Sequence, residues 1–266
     1  MPVKCDVNLS KVGQDQFHAV DKVVMRHAFD IHNEFGRFLD ESIYQNELWQ
    51  RCLECGFEAR REVEIEVSHD GFKKSYFIDL LMENEFVYEL KAAVDLITSH
   101  DRQLINYLLL TDLNHGKLLN FRPGSLQSRF VSTQLSRGDR TKFQFNGAVQ
   151  GREESPVSHL KETLCGLLAD WGAFLEISLY REALMVLTGE FSSTPQNVEI
   201  VSNGKLIGFQ KMCMLTPESA WHLSATRQHL DSYETHIRRL LYHTPLKSIH
   251  WINFNQHQIT LKTLQK

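Results

Sequence analysis

Residues 36–44 read GRFLDESIY and residues 172–180 read GAFLEISLY, an ungapped match in which Gly, Phe, Leu, Ser and Tyr recur at five of nine positions. Further on, HIRRLLYHTPLKSIHWINF at 236–254 lines up with QLINYLLLTDLNHGKLLNF at 103–121 at an offset of 133, with shared apolar spacing and the same closing Asn-Phe pair. Two matches in the same order are the mark of an internal repeat. The chain reads as two copies of one α+β unit, and Glu41 against Ile177 is where the first match diverges most in chemistry.

Within the first copy the elements follow from period and punctuation. Residues 17–55 carry a helical pattern with a break at Gly36, and Gly56 stands where a helix ends. FEARREVEIEV at 57–67 alternates like a strand, His69-Asp70-Gly71 signals a hairpin turn, and KSYFIDLLM and EFVYELKAA are strands joined across Glu83 and Asn84. HDRQLINYLLLTDLN is helical, and GKLLNF and SRFVST are strands. Helix, antiparallel strands, helix, strand is an α+β order with a mixed sheet. The polar segment 136–158 lacks a sustained period and is read as a linker between domains at 1–135 and 159–266.

Composition narrows the function classes. With 266 residues, 42% of them hydrophobic, the chain can build one large or two modest cores. Residues 1–133 hold 15 Lys and Arg against 21 Asp and Glu, a charge of −6, and the remainder holds 14 against 12, or +2. Neither part is the strongly basic body of a constitutive nucleic-acid binder, so such contacts need a local patch or bound cations. No apolar run is long enough for a membrane span and the N-terminus does not read as a signal peptide, so a soluble cytoplasmic protein is expected. Five cysteines argue against a disulfide framework, and Cys52 and Cys55 lack the second pair of a zinc site. Histidines 222, 229, 236, 243, 250 and 257 recur every seventh residue, too far apart on a helix for two to share an ion. Trp171, Trp221 and Trp251 read as core.

The candidate chemistry lies on four charged residues. At about 100° per residue, Asp40, Glu47, Arg51 and Glu54 share one helix sector, whereas Glu41 falls about 100° away beside Tyr44, Leu48 and Cys52. A carboxylate there must be paired, protonated or ligating. Asp79 interrupts the apolar strand YFIDLLM, and Glu89 and Lys91, two apart in VYELKA, project to one strand face. If the two strands pair, the carboxylates suit Mg²⁺ and the lysine can orient or deprotonate water or steady a charge on a phosphoryl oxygen. A buried salt-bridge cluster, or edge-strand charges that resist aggregation, are the structural alternatives.

The ordered set E-S-x-Y, a strand Asp, E-L-K-A, H-x-x-Q-L-x-x-Y and L-L-N-F over residues 20–133 resembles the GxxExxY family of the PD-(D/E)XK nuclease superfamily. The resemblance implies tandem restriction-endonuclease-like units, each a mixed sheet flanked by helices. It implies Asp79 and Glu89 as ligands of Mg²⁺ or Mn²⁺, Lys91 assisting water, Glu41 completing the site, and Gln103 with Tyr107 and Tyr44 along a substrate cleft. The glycine that opens the family signature is Phe38 in this chain. The expected function is hydrolysis of nucleic-acid phosphodiester bonds, with DNA the favoured substrate.

In the second copy Ile177 stands for Glu41, and the helix match sets His236 on Gln103 and Leu240 on Tyr107. Laying VEIVSNGKLIGFQKM at 198–212 on IDLLMENEFVYELKA at 78–92 puts Glu199, Phe209 and Lys211 on Asp79, Glu89 and Lys91. That copy then lacks the ligands and is expected to be silent, with the copies pairing inside one chain or the chain forming a homodimer. A rival reading keeps the nuclease scaffold as a non-enzymatic interaction module.

Overall fold

The computed structural model describes residues 2–11, 13–147, 155–189 and 193–266. The chain divides into two compact units, Met1–Ser68 with Lys73–Arg137, and His69–Phe72 with Gly138–Lys266. The architecture is mixed α/β, with one six-stranded mixed sheet for each unit and helices packed on it.

In the first unit the order is β1 (Val3–Cys5), α1 (Gln14–Phe35), α2 (Glu41–Glu54), β2 (Ala59–His69), β3 (Phe72–Met82), β4 (Phe86–Lys91), α3 (Thr98–Thr111), β5 (His115–Asn120) and β6 (Gln127–Ser132), and the strands lie side by side in that order. Strand β4 runs antiparallel to β3 and parallel to β5, the crossover being α3. Both expected turns form. Asp70-Gly71 and Glu83-Asn84 each take positive φ at two successive residues, the backbone twist that joins two neighbouring strands tightly. Helix α1 buries Phe17, Val24, Ala28 and Ile31, a helical-period stripe, against Leu80, Tyr88, Leu90 and Leu119 of one sheet face. The opposite face receives α3. A Cβ on Gly116 would stand 2.9 Å from Leu104 Cδ1, so the glycine leaves room for that leucine of α3 against β5. Since Tyr88 and Leu90 face the α1 side, Glu89 and Lys91 face α3.

The second unit continues with α4 (Arg137–Arg140), β7 (Gln144–Asn146), α5 (Pro156–Trp171), α6 (Ile177–Leu187), β8 (Gln196–Ser202), β9 (Lys205–Thr216), β10 (Ser219–Ser224), α7 (Leu230–Tyr242), β11 (Ser248–Asn255) and β12 (Gln258–Gln265). The segment expected as a linker is partly structured. Arg140 is buried, and β7 pairs in parallel with β12, while 148–154 fall outside the described residues. Polar β7 shows no alternation because three residues on a sheet edge are too few to display a period.

Strands β8 to β12 repeat the topology of β2 to β6: β9 and β10 are antiparallel, β10 and β11 parallel across α7, and β11 and β12 antiparallel. Small devices recur with it. Tyr44 Oη donates to Gly36 O at 2.8 Å and Tyr180 Oη donates to Gly172 O, each glycine having positive φ. Tyr44 stacks on Phe121 and Tyr180 packs on Phe254. Asn120 bonds both backbone groups of Ala93, at 3.0 and 2.8 Å, and Asn253 does the same to Thr226 at 2.9 Å each.

These fixed points correct the middle of the repeat alignment. The β8–β9 hairpin corresponds to β2–β3, not to β3–β4, because the strand before the crossover helix is β10. The two hairpins have similar Asn-containing turns, Glu83-Asn84 and Asn203-Gly204, which makes their sequences align. Lys91 lies opposite Asn120 and Ser224 opposite Asn253, so Ser224 takes the place of Lys91; by the same ladders His222 takes that of Glu89. Tyr88 lies opposite Leu80 and Trp221 opposite Cys213, so Met212, one residue earlier, takes the place of Asp79.

Candidate active site

The site forms where β3 and β4 part. Their ladder runs from Met82↔Phe86 to Leu80↔Tyr88. Beyond it, Leu90 N donates to the Asp79 carboxylate at 2.7 Å, and the Asp79 carbonyl accepts from Gln45 Nε2 of α2 at 2.6 Å. Side chains thus replace main-chain partners on both strands, which opens the sheet without stranding its backbone groups.

Into that opening the chain brings Asp79, Glu89 and Lys91, with Gln103 from α3 and Glu41 from the first turn of α2. Glu89 is 1% exposed, and its Oε1 accepts from Lys91 Nζ at 2.7 Å and from Gln103 Nε2 at 2.6 Å. Its Oε2 is buried with no hydrogen-bond partner. Glu41 Oε2 accepts from Ala92 N at 2.9 Å, and its Oε1 lies 3.8 Å from Lys91 Nζ. The helix-wheel anomaly of Glu41 is therefore resolved: the carboxylate is paired with a strand end.

The electrostatics follow from crowding three carboxylates around one ammonium. Burial, then the Asp79 charge, pushes Glu89 up to about 8 against the opposing pull of Lys91. Burial pushes Asp79 up to about 6, opposed by Lys91 and the Leu90 N–H and aided by Glu41 and Glu62. For Lys91, burial works downward, but the Glu89 charge and hydrogen bond, with Asp79 and Glu41, leave it raised overall. One cation does not satisfy this set.

Two expectations need correction. Tyr44 does not line a cleft: it is buried, its ring stacked on Phe121 at 4.5 Å and its hydroxyl spent on the α2 entry. Tyr107 is also nearly buried, and its hydroxyl accepts from Gln103 Nε2 at 3.0 Å, so it positions the glutamine from behind. Two residues were missed. Gln45 bridges Asp79 O and Glu62 Oε1, and Glu62 takes φ 49 on β2, adding its field to Asp79. Gln45 was legible, since it follows Glu41 by one turn on the same face; the run Arg60-Arg61-Glu62 was the only hint of an irregular strand.

Among the described residues, no group of three His, Cys, Asp or Glu side chains gathers as a metal cage. What the site offers is two carboxylates, Asp79 and Glu89, with one buried oxygen unpartnered. That is the sparse, oxygen-only set Mg²⁺ accepts when waters and substrate phosphate complete its shell. The seventh-residue histidines scatter over two strands, both ends of α7, its middle and a turn. Cys52 and Cys55 are free thiols, the former pushed up to about 12 by burial.

The corresponding position of the second unit is closed chemically. Ser224 Oγ donates to Asn253 Oδ1 at 2.7 Å and accepts from Trp251 Nε1 at 2.8 Å. His222 Nε2 lies 2.7 Å from the Tyr233 hydroxyl, and burial followed by the Arg181 charge lowers its pKa.

No curated protein matches the chain. Among solved structures, the crystal structure of SSO0001 aligns at 18% identity over 47% of this chain and 80% of that one, with a TM-score of 0.26, too slight a likeness to argue from. The family model of the PD-(D/E)XK nuclease superfamily matches residues 18–131, the stretch from α1 to β6 that supplies Glu41, Asp79, Glu89, Lys91 and Gln103.

Proposed function

We propose that the first unit hydrolyses phosphodiester bonds of nucleic acid, with DNA as the substrate and a divalent cation, Mg²⁺ or Mn²⁺, held by Asp79 and Glu89. The observation that carries this reading is the unpartnered, buried Glu89 Oε2 beside Asp79. Leaving an acidic oxygen so placed costs stability, and a cation offsets that cost. The superfamily match supports the same chemistry. When bound, the ion supplies Lewis-acid polarisation of a phosphoryl oxygen.

The residues of the chain divide the remaining work. Lys91, raised by its carboxylate neighbours, keeps its proton at neutral pH and steadies negative charge developing on the phosphate. Gln103, braced by Tyr107, fixes the rotamer of Glu89 and leaves Oε2 free. Glu41 holds the Ala92 amide and so the end of β4 that carries Lys91. Gln45 holds β3 at Asp79.

The second unit we read as a duplicated copy whose site has lapsed, with Ile177, Met212, His222 and Ser224 at the four chemical positions. Shared topology and the recurrent Tyr–Gly and Asn–backbone bonds support common descent of the two units. The test is cleavage of labelled single- and double-stranded DNA and RNA in Mn²⁺, for the native chain and Lys91→Ala. Cleavage that needs Lys91 and stops with chelator is expected; intact substrates of every form would overturn the reading.

A further inference from the structure

Apolar side chains stand exposed on the two segments that adjoin the acidic site at Glu41 and Ala92. Phe38, three residues before Glu41, is 76% exposed, and Val94 and Ile97, just after Ala92, are 81% and 56% exposed. Neither segment is loose chain. Leu39 N donates to Tyr44 Oη at 3.1 Å, and the Ala93 backbone is clamped by Asn120. Arg129 donates to Leu96 O at 3.1 Å, and Arg122 spans the two segments by donating to Ala92 O at 3.3 Å and Leu39 O at 3.4 Å. Apolar groups displayed on a fixed backbone beside a reactive site point to a ligand with apolar faces.

Charge argues for which ligand. This half of the sequence carries −6 and has no basic run, so neutralising phosphates along a duplex is a poor source of affinity. The same holds for the phosphates of a single strand, so affinity must come from another source, and stacking on an aromatic ring supplies it without charge. The Arg37 guanidinium lies 5.0 Å from the Phe38 ring centroid and covers one face, so an aromatic base can take the other. Duplex DNA hides its base faces; an unpaired end or single strand offers them. The second unit sharpens the point. Its equivalent ring, Phe174, is folded against His257 at 4.8 Å in the unit without the carboxylates.

We propose that Phe38 is a base-stacking platform, with the apolar side chains of Val94 and Ile97 beside it, that selects single-stranded nucleic acid for the acidic site. This rests on the nuclease reading of that site, but its readout is binding. The probe is a single-stranded oligodeoxynucleotide containing 2-aminopurine, titrated into the full chain with its duplex as comparison. Native protein is expected to quench the fluorophore and prefer the single strand; Phe38→Ala is expected to lose the quenching and about tenfold in affinity, and Phe38→Trp to retain both. Unchanged single-strand affinity in Phe38→Ala, equal losses for both forms, or absence of single-strand binding would overturn it. So would a native dimer by sedimentation that Phe38→Ala converts to monomer, since the platform would then be a contact between copies. Failure to cleave any substrate in Mn²⁺, with stacking intact, would instead remove the nuclease reading alone.

Discussion

At one position of the two sheets the first unit has Glu89-Leu90-Lys91 and the second has His222-Leu223-Ser224, on strands with the same neighbours in the same directions. The middle leucine is buried in both. What differs is whether the flanking polar groups are satisfied. In the second unit each has a protein partner: Ser224 bonds Asn253 and Trp251, and His222 meets Tyr233. In the first, Glu89 has an oxygen with none, and two of its carboxylates are displaced upward in pKa. The same position of the fold is thus closed with neutral groups in one unit and left with an unpartnered carboxylate oxygen in the other, the difference expected where a local rule is broken for function.

The sharpest way to break that comparison is activity. Lys91→Ala should lower Mn²⁺-dependent cleavage by about 10³-fold, the scale for removing a group that stabilises developing charge. Met212→Leu, at the place of Asp79, should leave the rate unchanged. A rate that follows Met212 as closely as Lys91 in single-turnover assays would place chemistry in the second unit.

The sequence carried the outlines of both units because their ends are marked by residues with backbone consequences. Gly36 and Gly172 take positive φ at matching helix entries, and Asn120 and Asn253 clamp matching strands, so identities at those places signal common structure. The middle strands lack such markers. Alternating apolar residues fit any hairpin of a sheet, and only the crossover helix decides which strand carries the E-x-K position. The converging Glu41, Asp79, Glu89, Lys91 and Gln103 were legible from spacing and resemblance. Gln45 is legible as a face-mate of Glu41 but its bond to Asp79 O is not, because a glutamine on a helix has no obligatory partner, and the burial of Tyr44 is not legible because a tyrosine hydroxyl serves a buried turn as readily as a cleft.

Titration gives the two units opposite signatures. Glu89 ionises near 4.5 when unfolded and near 8 when folded in the absence of metal, so between these values the folded chain binds more protons and stability falls as pH rises. His250 in β11 is buried beside Thr263, and burial pushes it down to about 4 from 6.5. Here the unfolded chain binds more protons, so its contribution, about 3 kcal/mol, is complete above pH 6.5 and is lost as pH falls toward 4. Urea titrations in chelator should show Glu89→Gln gaining on native protein as pH rises, and His250→Gln narrowing its deficit as pH falls. The reverse trends would refute the assignment.

Shared scaffolding predicts shared costs. Asn120→Ala leaves the Ala93 N–H and C=O without their clamp, and Asn253→Ala does so at Thr226. Each should cost about 1–3 kcal/mol in denaturant titrations. The two costs should be similar, since Asn120 also donates to Gln127 and accepts from Arg122 N, and Asn253 also accepts from Ser224.

The smallest expected effect tests the Tyr–Gly pair that recurs in the two units. Tyr44→Phe and Tyr180→Phe each keep the ring against Phe121 or Phe254 and remove the bond to the glycine carbonyl eight residues back. Each should cost about 1 kcal/mol. They should diverge in function, however. Tyr44 Oη also accepts from Leu39 N, which fixes the backbone between Phe38 and Glu41, so its loss should lower cleavage or single-strand binding as well as stability. Tyr180→Phe should change stability alone. Equal effects of the two variants on activity, measured where both are fully folded, would remove the functional distinction between the two helix entries.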